Sequence, residues 1–396
     1  ILIAVSAGIS QGATALVSNA LGADDLEGAR DMATQSVIFS LSMGVILMIA
    51  GFLSFPFLFG LLGAEGEYLD ITLTYMNCIL AGTLFFIGQS ILNATLNAQG
   101  DTKSYRNLLI IGFVLNLILD PWFMYGGIGL PAMGIRGIAL ATVLIQALGC
   151  FYLAWRIACS KLKYPLTLQR WKPNFSAWGQ LARQGIPASI NMMTVAAGIF
   201  VITWFISFFS KEGVAAYGIA TRIEQIILLP TIGLNIAVLT LTGQNNGAGR
   251  MDRIMEMRKV AMNAGLMMMI TGGVALYFAA PMMMRFFTDN EQVSSIGAEY
   301  LRIASFTLCS YVILFQTVFM LQGLKKPMIA LWIGLYRQII APCAVFYLLA
   351  FLLDWKLQGI WWGIFGVTWS AAIFTLFYGH RILSRMSEAS VQHSKN

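Results

Sequence analysis

An acid and an amide share one face of an apolar helix in the first third of the chain. Asp120 follows Asn116 by four residues in the apolar segment 107–125, a spacing that puts both side chains on one side of a helix. Pro121 comes next, and a proline inside a helix frees a backbone carbonyl that could act as a further oxygen ligand. Carboxylate, amide and hydroxyl oxygens suit a hard monovalent cation such as Na⁺, and a carboxylate in low dielectric also accepts a proton. The alternative is that Asp120 only extends to the outer surface of the membrane.

A second buried acid, Glu224, occurs in a later apolar segment, 214–241. It lies about ten residues into that segment, which is about 15 Å along a helix and near the middle of a bilayer. A charge at mid-helix costs about 2.5–3.5 kcal/mol on insertion scales, so such a residue normally faces an interior cavity and has a function. Arg222 is two residues away and does not share its face. Glu224 is therefore either a second functional acid or one half of a structural ion pair, for which Arg337, also inside an apolar segment, is the candidate partner.

Residues for enzyme chemistry are sparse. The two histidines, His380 and His393, lie at or after the last apolar segment, and the five cysteines are scattered singly with no C-x-x-C pair. The glycines between 126 and 137 do not follow a strand, which makes a phosphate-binding loop a weak interpretation. The sequence predicts no cofactor, no metal beyond Na⁺ at Asp120, and no enzyme activity.

Membrane-spanning helices must position these residues. Of the 396 residues, 58% are hydrophobic and only 11% are charged, with a mean hydropathy of +0.73, whereas globular domains are about a quarter charged. Apolar runs of about twenty residues recur between short polar stretches, the pattern of transmembrane helices. We predict an all-α, polytopic membrane protein that does not bind nucleic acid. The predicted spans are 1–20, 36–62, 69–96, 107–125, 137–158, 186–209, 214–241, 260–286, 304–321, 328–353 and 359–383.

The positive charges predict the orientation of these spans. Sorted by connection, eighteen of the 25 lysines and arginines fall on one side and four on the other. Arg222, Arg302 and Arg337 remain, inside or near the ends of apolar spans. Because short cytoplasmic loops carry an excess of positive residues, the richer side is predicted to be cytoplasmic. The C-terminus is then cytoplasmic, in a multi-pass protein of the cell (inner) membrane.

The two halves of the chain are weakly similar to each other. Residues 21–24 match 246–249, Pro56 matches Pro281 and Tyr75 matches Tyr300, all at an offset of 225. Both copies run in the same direction across the membrane, which is a parallel repeat. The second half begins with one additional span, so we expect two pseudo-symmetric six-helix lobes, with eleven helices present and the first helix missing. The predicted boundaries are 1–160 for the N-terminal lobe, 161–185 for a cytoplasmic linker, 186–388 for the C-terminal lobe and 389–396 for a tail.

Several of these segments resemble the bacterial multidrug and toxic compound extrusion (MATE) transporters. NLILDP at 116–121, PAMGI at 131–135 and GIALAT at 137–142 resemble the fifth and sixth helices of that family. AAYGIA at 215–220, followed by GQN at 243–245 and GAG at 247–249, is similar to its eighth helix and the loop after it. The resemblance covers essentially the whole chain.

The resemblance implies a mechanism and a set of site residues. Two lobes would surround a cavity that opens alternately to each side, exporting organic, often cationic compounds in exchange for inward Na⁺ or H⁺. A first-lobe cation site would contain Asn116, Asp120 and Thr142, with an aspartate of the missing helix. Some members place an acid in the seventh helix instead, but segment 186–209 has no charge. Glu224, with Arg337, is then the candidate site of the second lobe.

The expected partners are small organic substrates and membrane lipid, and we expect a monomer. Three other functions stay open on the sequence. A flippase of lipid-linked saccharides would need several cationic residues in its cavity, and only Arg222, Arg302 and Arg337 are available. A channel would need no alternating lobes. A membrane-embedded enzyme would need a catalytic set of residues that the spans do not contain.

Overall fold

The chain folds into α-helices because a backbone inside lipid must satisfy its own hydrogen bonds. The computed structural model describes residues 2–61, 63, 65–127, 129–164 and 168–395, with backbone alone at 168, 169, 387 and 389–395. Within these residues the only β-pairing is one isolated bridge between Gly127 and Leu130. The all-α prediction is confirmed. The helices are α1 (Leu2–Gly22), α2 (Leu26–Leu61), α3 (Gly66–Ala81), α4 (Thr83–Ala98), α5 (Lys103–Tyr125), α6 (Ile135–Ala158), α7 (Phe175–Ser207), α8 (Lys211–Gly247), α9 (Met251–Phe287), α10 (Glu291–Gly323), α11 (Met328–Leu335), α12 (Ala341–Phe346) and α13 (Lys356–Lys395).

Most of these helices are long and apolar enough to cross a membrane. In the part of the chain that the structure describes, nine helical segments meet this condition, and a bent pair, α3 with α4, makes up to ten. The one remaining predicted span, 1–20, corresponds to α1, which is 21 residues long. It is not among these segments because it carries Ser, Thr, Gln and Asn side chains along its length. The polytopic prediction is confirmed, although α1 is more polar than an average lipid-exposed span.

The predicted span 69–96 is two helices, α3 and α4, that meet at Gly82 with a bend of 44°. A Cβ at Gly82 would come within 2.5 Å of the Val143 side chain of α6. Glycine is thus required for the close packing at the bend. Sequence periodicity did not predict it because no proline marks the position.

Contacts within the chain define two units, and the first comprises Ile1–Ile186. Its core contains Ile9 and Leu16 of α1, Ile91 and Leu96 of α4, and Leu153 of α6. Helix α1 packs on α2 and α4, and hydroxyl groups also link α1 to α4. For example, the Ser10 hydroxyl donates to the Ser90 carbonyl at 2.9 Å. The polar face of α1 is therefore buried inside this unit.

The connection before α7 is attached to the start of α2 in the same unit. The buried Gln35 amide donates to the Lys172 carbonyl at 2.9 Å, and its carbonyl oxygen accepts from the Asn174 backbone at 2.9 Å and from Trp178 Nε1 at 3.1 Å. Arg170 pairs with Glu27. Helix α7 begins at Phe175, within the segment predicted as linker, because the Asn174 carboxamide caps it by accepting from Ser176 and Ala177.

The second unit, Pro187–Asn396, is built around α10. Helix α10 packs against α8, α9 and α13, and most of its apolar stretch is buried. Helix α13 continues to Lys395, through most of the segment predicted as a tail, 389–396, whose last residue lies outside the described residues. A buried aromatic group at the centre of the unit includes Tyr217, Tyr300 and Trp361.

The span predicted at 328–353 departs twice from α-helical geometry. π-helical turns cover Tyr336–Ile340, between α11 and α12, and Tyr347–Leu352, after α12. Single π turns inside α-helices are frequent at functional sites. The first of them carries Arg337 and the buried Gln338.

Candidate functional site

The predicted first-lobe residues lie on the antiparallel pair α5 and α6. Gly112 faces Ile145 and Gly149 faces Leu108, while Gly137 lies against Phe123. This register puts Thr142 of α6 at the level of Asn116 of α5, with Asp120 one turn further along α5. All three side chains are half-buried.

One carboxylate oxygen of Asp120 has no partner. Asp120 Oδ1 is buried and accepts no hydrogen bond, whereas the Thr142 hydroxyl donates to the Ile138 carbonyl at 3.0 Å. Among the described residues, no hydrogen bond joins Asn116, Asp120 and Thr142 directly. A buried oxygen of this kind normally has a partner, such as a water, a proton or a cation. The pair α5–α6 thus presents an unsatisfied acceptor where the sequence predicts a cation.

The turn between α5 and α6 is closed by backbone hydrogen bonds. Met133 N donates to the Phe123 carbonyl at 3.1 Å and Gly134 N to the Met124 carbonyl at 3.0 Å. Gly126 has a φ of 77°, and a Cβ there would approach Ala132 N. The glycines of this region therefore serve a tight turn.

In the second unit, Glu224 is buried among aromatic side chains. The Tyr300 hydroxyl donates to Glu224 Oε2 at 2.9 Å, and Glu224 as a residue is only 5% exposed. Its other oxygen, Oε1, is buried without a partner. Tyr300 packs against Tyr217 at 5.4 Å and Trp361 at 4.9 Å between ring centroids.

Arg337 lies beside this cluster on the first π turn. Its guanidinium carbon is 5.5 Å from the Tyr311 ring centroid and 5.6 Å from that of Phe315. These distances fit a cation–π arrangement. No ion pair links Arg337 to Glu224 in the described part of the chain, although the two interact electrostatically. The alternative of a direct structural ion pair is therefore not what the structure contains.

The aromatic residues around Glu224 are absent from the sequence-based site. Tyr300 was visible as the repeat partner of Tyr75, but an alignment of halves does not indicate which acid a tyrosine contacts. Tyr311 and Trp361 gave no signal, because apolar spans contain aromatic residues throughout. Only the packing of α8 and α13 against α10 brings them together.

A family model described as MatE matches residues 1–122 and 187–341. The chain belongs to the MatE family. This family consists of secondary transporters, so the resemblance to MATE transporters is confirmed and the protein is not classed with the enzymes.

Relatives of this MatE protein include several named for drug resistance. The probable multidrug resistance protein NorM of Thermotoga maritima is 27% identical, over 73% of this chain and 62% of its own length. The probable multidrug resistance protein YoeA of Bacillus subtilis is 26% identical, over 92% of this chain and 79% of its own length. A protein of Shewanella oneidensis named as an FAD transporter is 24% identical over 86% of this chain. The chain thus spans less than two thirds of the first of these relatives.

Solved structures of the family have the same fold. A crystal structure of MATE in the bent conformation has a TM-score of 0.92 and 25% identity, over 98% of this chain and 86% of that chain. A transporter of the MOP superfamily from Pyrococcus furiosus has a TM-score of 0.90 at 25% identity, with the same coverage. The helices of this MatE protein therefore follow a known transporter architecture.

Proposed function

We propose that this protein is a multidrug efflux transporter that exports organic, often cationic compounds in exchange for Na⁺ or H⁺. The observation that carries the proposal is the buried, unpartnered Oδ1 of Asp120 on a helix whose neighbour presents Thr142 at the level of Asn116. The names of the Thermotoga and Bacillus relatives support the drug substrates. The setting is a cell (inner) membrane with the C-terminus in the cytoplasm, and the protein acts as a monomer surrounded by lipid.

The mechanism couples two lobes, approximately 1–160 and 186–388, by alternating access. Asp120 takes up a cation from outside, the first lobe rearranges and bound drug leaves. On return to the inward-open state, the cation is released to the cytoplasm. Because a ligand shifts an equilibrium only by its differential affinity, Asp120 binds the cation more tightly in one state than in the other. Glu224, with Arg337, is the corresponding site of the second lobe.

Drug efflux from everted membrane vesicles tests the role of Asp120. The substitution Asp120→Asn removes the charge at constant size, and we expect it to abolish efflux driven by whichever gradient, Na⁺ or pH, drives the unsubstituted protein. Each gradient is imposed alone. The control is Asp289→Asn, at an exposed carboxylate between α9 and α10, which should retain efflux. Unchanged efflux by Asp120→Asn under both gradients would contradict the assignment.

The same vesicles separate the other functions. A carrier shows counterflow, in which unlabelled drug on one side drives labelled drug from the other, whereas a channel does not. Recovery of chemically altered drug would indicate an enzyme. Transport of a lipid-linked saccharide, with no transport of any drug tested, would indicate a flippase.

A further inference from the structure

We propose that Glu224 binds a proton and not Na⁺, and that Arg337 changes its partner as this proton binds and leaves. The inference deepens the proposed function and rests on it for its role in transport. The proton-binding group is the Glu224 carboxyl group, and its own contacts define this site.

The groups around Glu224 do not form an oxygen cage for a metal cation. The titratable and charged side chains that face Glu224 are Tyr217 of its own helix, Tyr300 and Tyr311 of α10, and Arg337 of the π turn. Helix α9, which also packs on α8, contributes none among the described residues. All four of these groups carry O–H or N–H donors that suit a carboxylate, and a guanidinium repels a second cation.

The contacts of the carboxyl group fit the protonated acid. Tyr300 donates to Oε2 at 2.9 Å, while Oε1 is buried and makes no hydrogen bond, although the Tyr311 hydroxyl lies near enough to interact with the carboxyl group. A buried charged oxygen without a partner costs far more free energy than a buried neutral hydroxyl. The arrangement in this structure is therefore the one expected when Oε1 carries a hydrogen.

Arg337 is placed as expected beside a neutral Glu224. Its guanidinium lies over the rings of Tyr311 and Phe315 and makes no ion pair with Glu224. Arg337 is half-buried, and Glu224 is fully enclosed. When Glu224 loses its proton, the new buried charge requires a partner, and Arg337 is the cation within electrostatic reach.

The π turn gives the backbone a way to make this exchange. The π turn Tyr336–Ile340 contains about one residue more per turn than an α-helix, and it lies between helices α11 and α12. A shift of this turn toward α-helical geometry rotates Arg337 about the helix axis. Pro342 follows directly in α12 and keeps that part of the helix from re-forming a complete hydrogen-bond ladder.

The proton is exchanged between water and the Glu224 carboxyl group. A hydronium ion gives its proton to Oε1 of the Glu224 carboxylate, which forms the Oε1–H bond and leaves water. The reverse step transfers the proton to water, and the carboxylate then pairs with Arg337. No oxidant, reductant or metal takes part.

Infrared difference spectroscopy of the purified, lipid-reconstituted protein tests the proposal. The C=O stretch of a buried carboxylic acid is expected to decrease as the pH rises at constant Na⁺, and to remain unchanged when Na⁺ is varied at constant pH. Glu224→Gln should remove this band. The matched control is Glu299→Gln, which removes a half-buried acid of α10 beside Arg302 and should retain the Glu224 band.

Two results would overturn the inference. One is a Glu224 band that responds to Na⁺ and not to pH, and the other is no band that Glu224→Gln removes. If Glu224→Gln does not fold, Tyr300→Phe replaces it, because loss of the donor to Oε2 must shift the frequency of the same band. If only the proposed transport function is wrong, the Glu224 band still titrates with pH, but the reconstituted protein moves no drug in counterflow.

Discussion

Asp101 shows how a single side chain holds the start of α5 and the end of α6 together in the first unit. Its carboxylate accepts from the Ser104 backbone at 3.0 Å and from the Ser104 hydroxyl at 2.6 Å, at the start of α5. It also pairs with Arg156, in the last turn of α6, at 3.2 Å. Burial alone would raise the pKa of Asp101, but the hydrogen bonds from Ser104 and Arg156 outweigh it and hold the pKa below its usual value.

This lowered pKa predicts a pH-dependent contribution to stability. An unfolded aspartate has a pKa of about 3.9, so the Asp101 carboxylate stabilises the fold fully above that pH. The contribution decreases as the pH falls through the lower pKa of the folded state. We expect Asp101→Asn to lower the Tm in detergent at neutral pH, and this Tm difference to disappear in acid. Asp289→Asn is the control, and a Tm difference that persists at every pH would contradict the prediction.

At the scale of elements, α5 and α6 are in close backbone contact where Gly137 meets the end of α5. A Cβ at Gly137 would overlap the carbonyl group of Phe123. Since that neighbour is backbone, it cannot rotate away. The antiparallel register that aligns Asn116 with Thr142 therefore depends on a glycine at this position.

We predict that Gly137→Ala destabilises the protein by about 1–3 kcal/mol, as overpacked sites do. The matched control is Gly233→Ala on α8, where a Cβ meets nothing within 4 Å. That change should be neutral or stabilise the protein by up to about 1 kcal/mol, because alanine favours helix more than glycine does. Thermal unfolding in detergent compares the two variants. Equal Tm values for both would mean that α5 and α6 do not need this close contact.

On the scale of the whole molecule, the distribution of charge predicts the orientation in the membrane. Lys211 lies at the start of α8 and Lys326 between α10 and α11, and both are exposed. The charge count assigns the first to the outside and the second to the cytoplasm. Exposed lysines on opposite sides give a direct test of the orientation.

After replacement of the five native cysteines, which are all free, we introduce Lys211→Cys or Lys326→Cys. A membrane-impermeant maleimide added to intact spheroplasts should label Lys211→Cys at once and Lys326→Cys only after permeabilisation. Labelling without permeabilisation at residue 326 would reverse the topology, and with it the cytoplasmic C-terminus.

Much of the architecture was predictable from local sequence. Apolar runs and sparse charge predicted an all-α polytopic protein, because lipid leaves a backbone few ways to satisfy its hydrogen bonds. The acids Asp120 and Glu224 stood out because ionisable residues in apolar spans are costly and rare. The bend at Gly82 was not predictable, since the close contact with Val143 that requires glycine there is made with another helix.

The sequence therefore identifies the polar and ionisable residues that are unusual in apolar spans. The packing of the helices determines which groups contact them. Tyr300, the hydrogen-bond donor of Glu224, is 76 residues away from it. Gln35 lies more than a hundred residues from the Lys172 carbonyl that it contacts. Neither pair has a periodic or motif signal, because hydrophobicity and charge are properties of single residues and short windows. Arg337 could pair with Glu224 or lie on two aromatic rings. The packing of α10 against the π turn decides between these contacts, and this packing is a property of the tertiary structure.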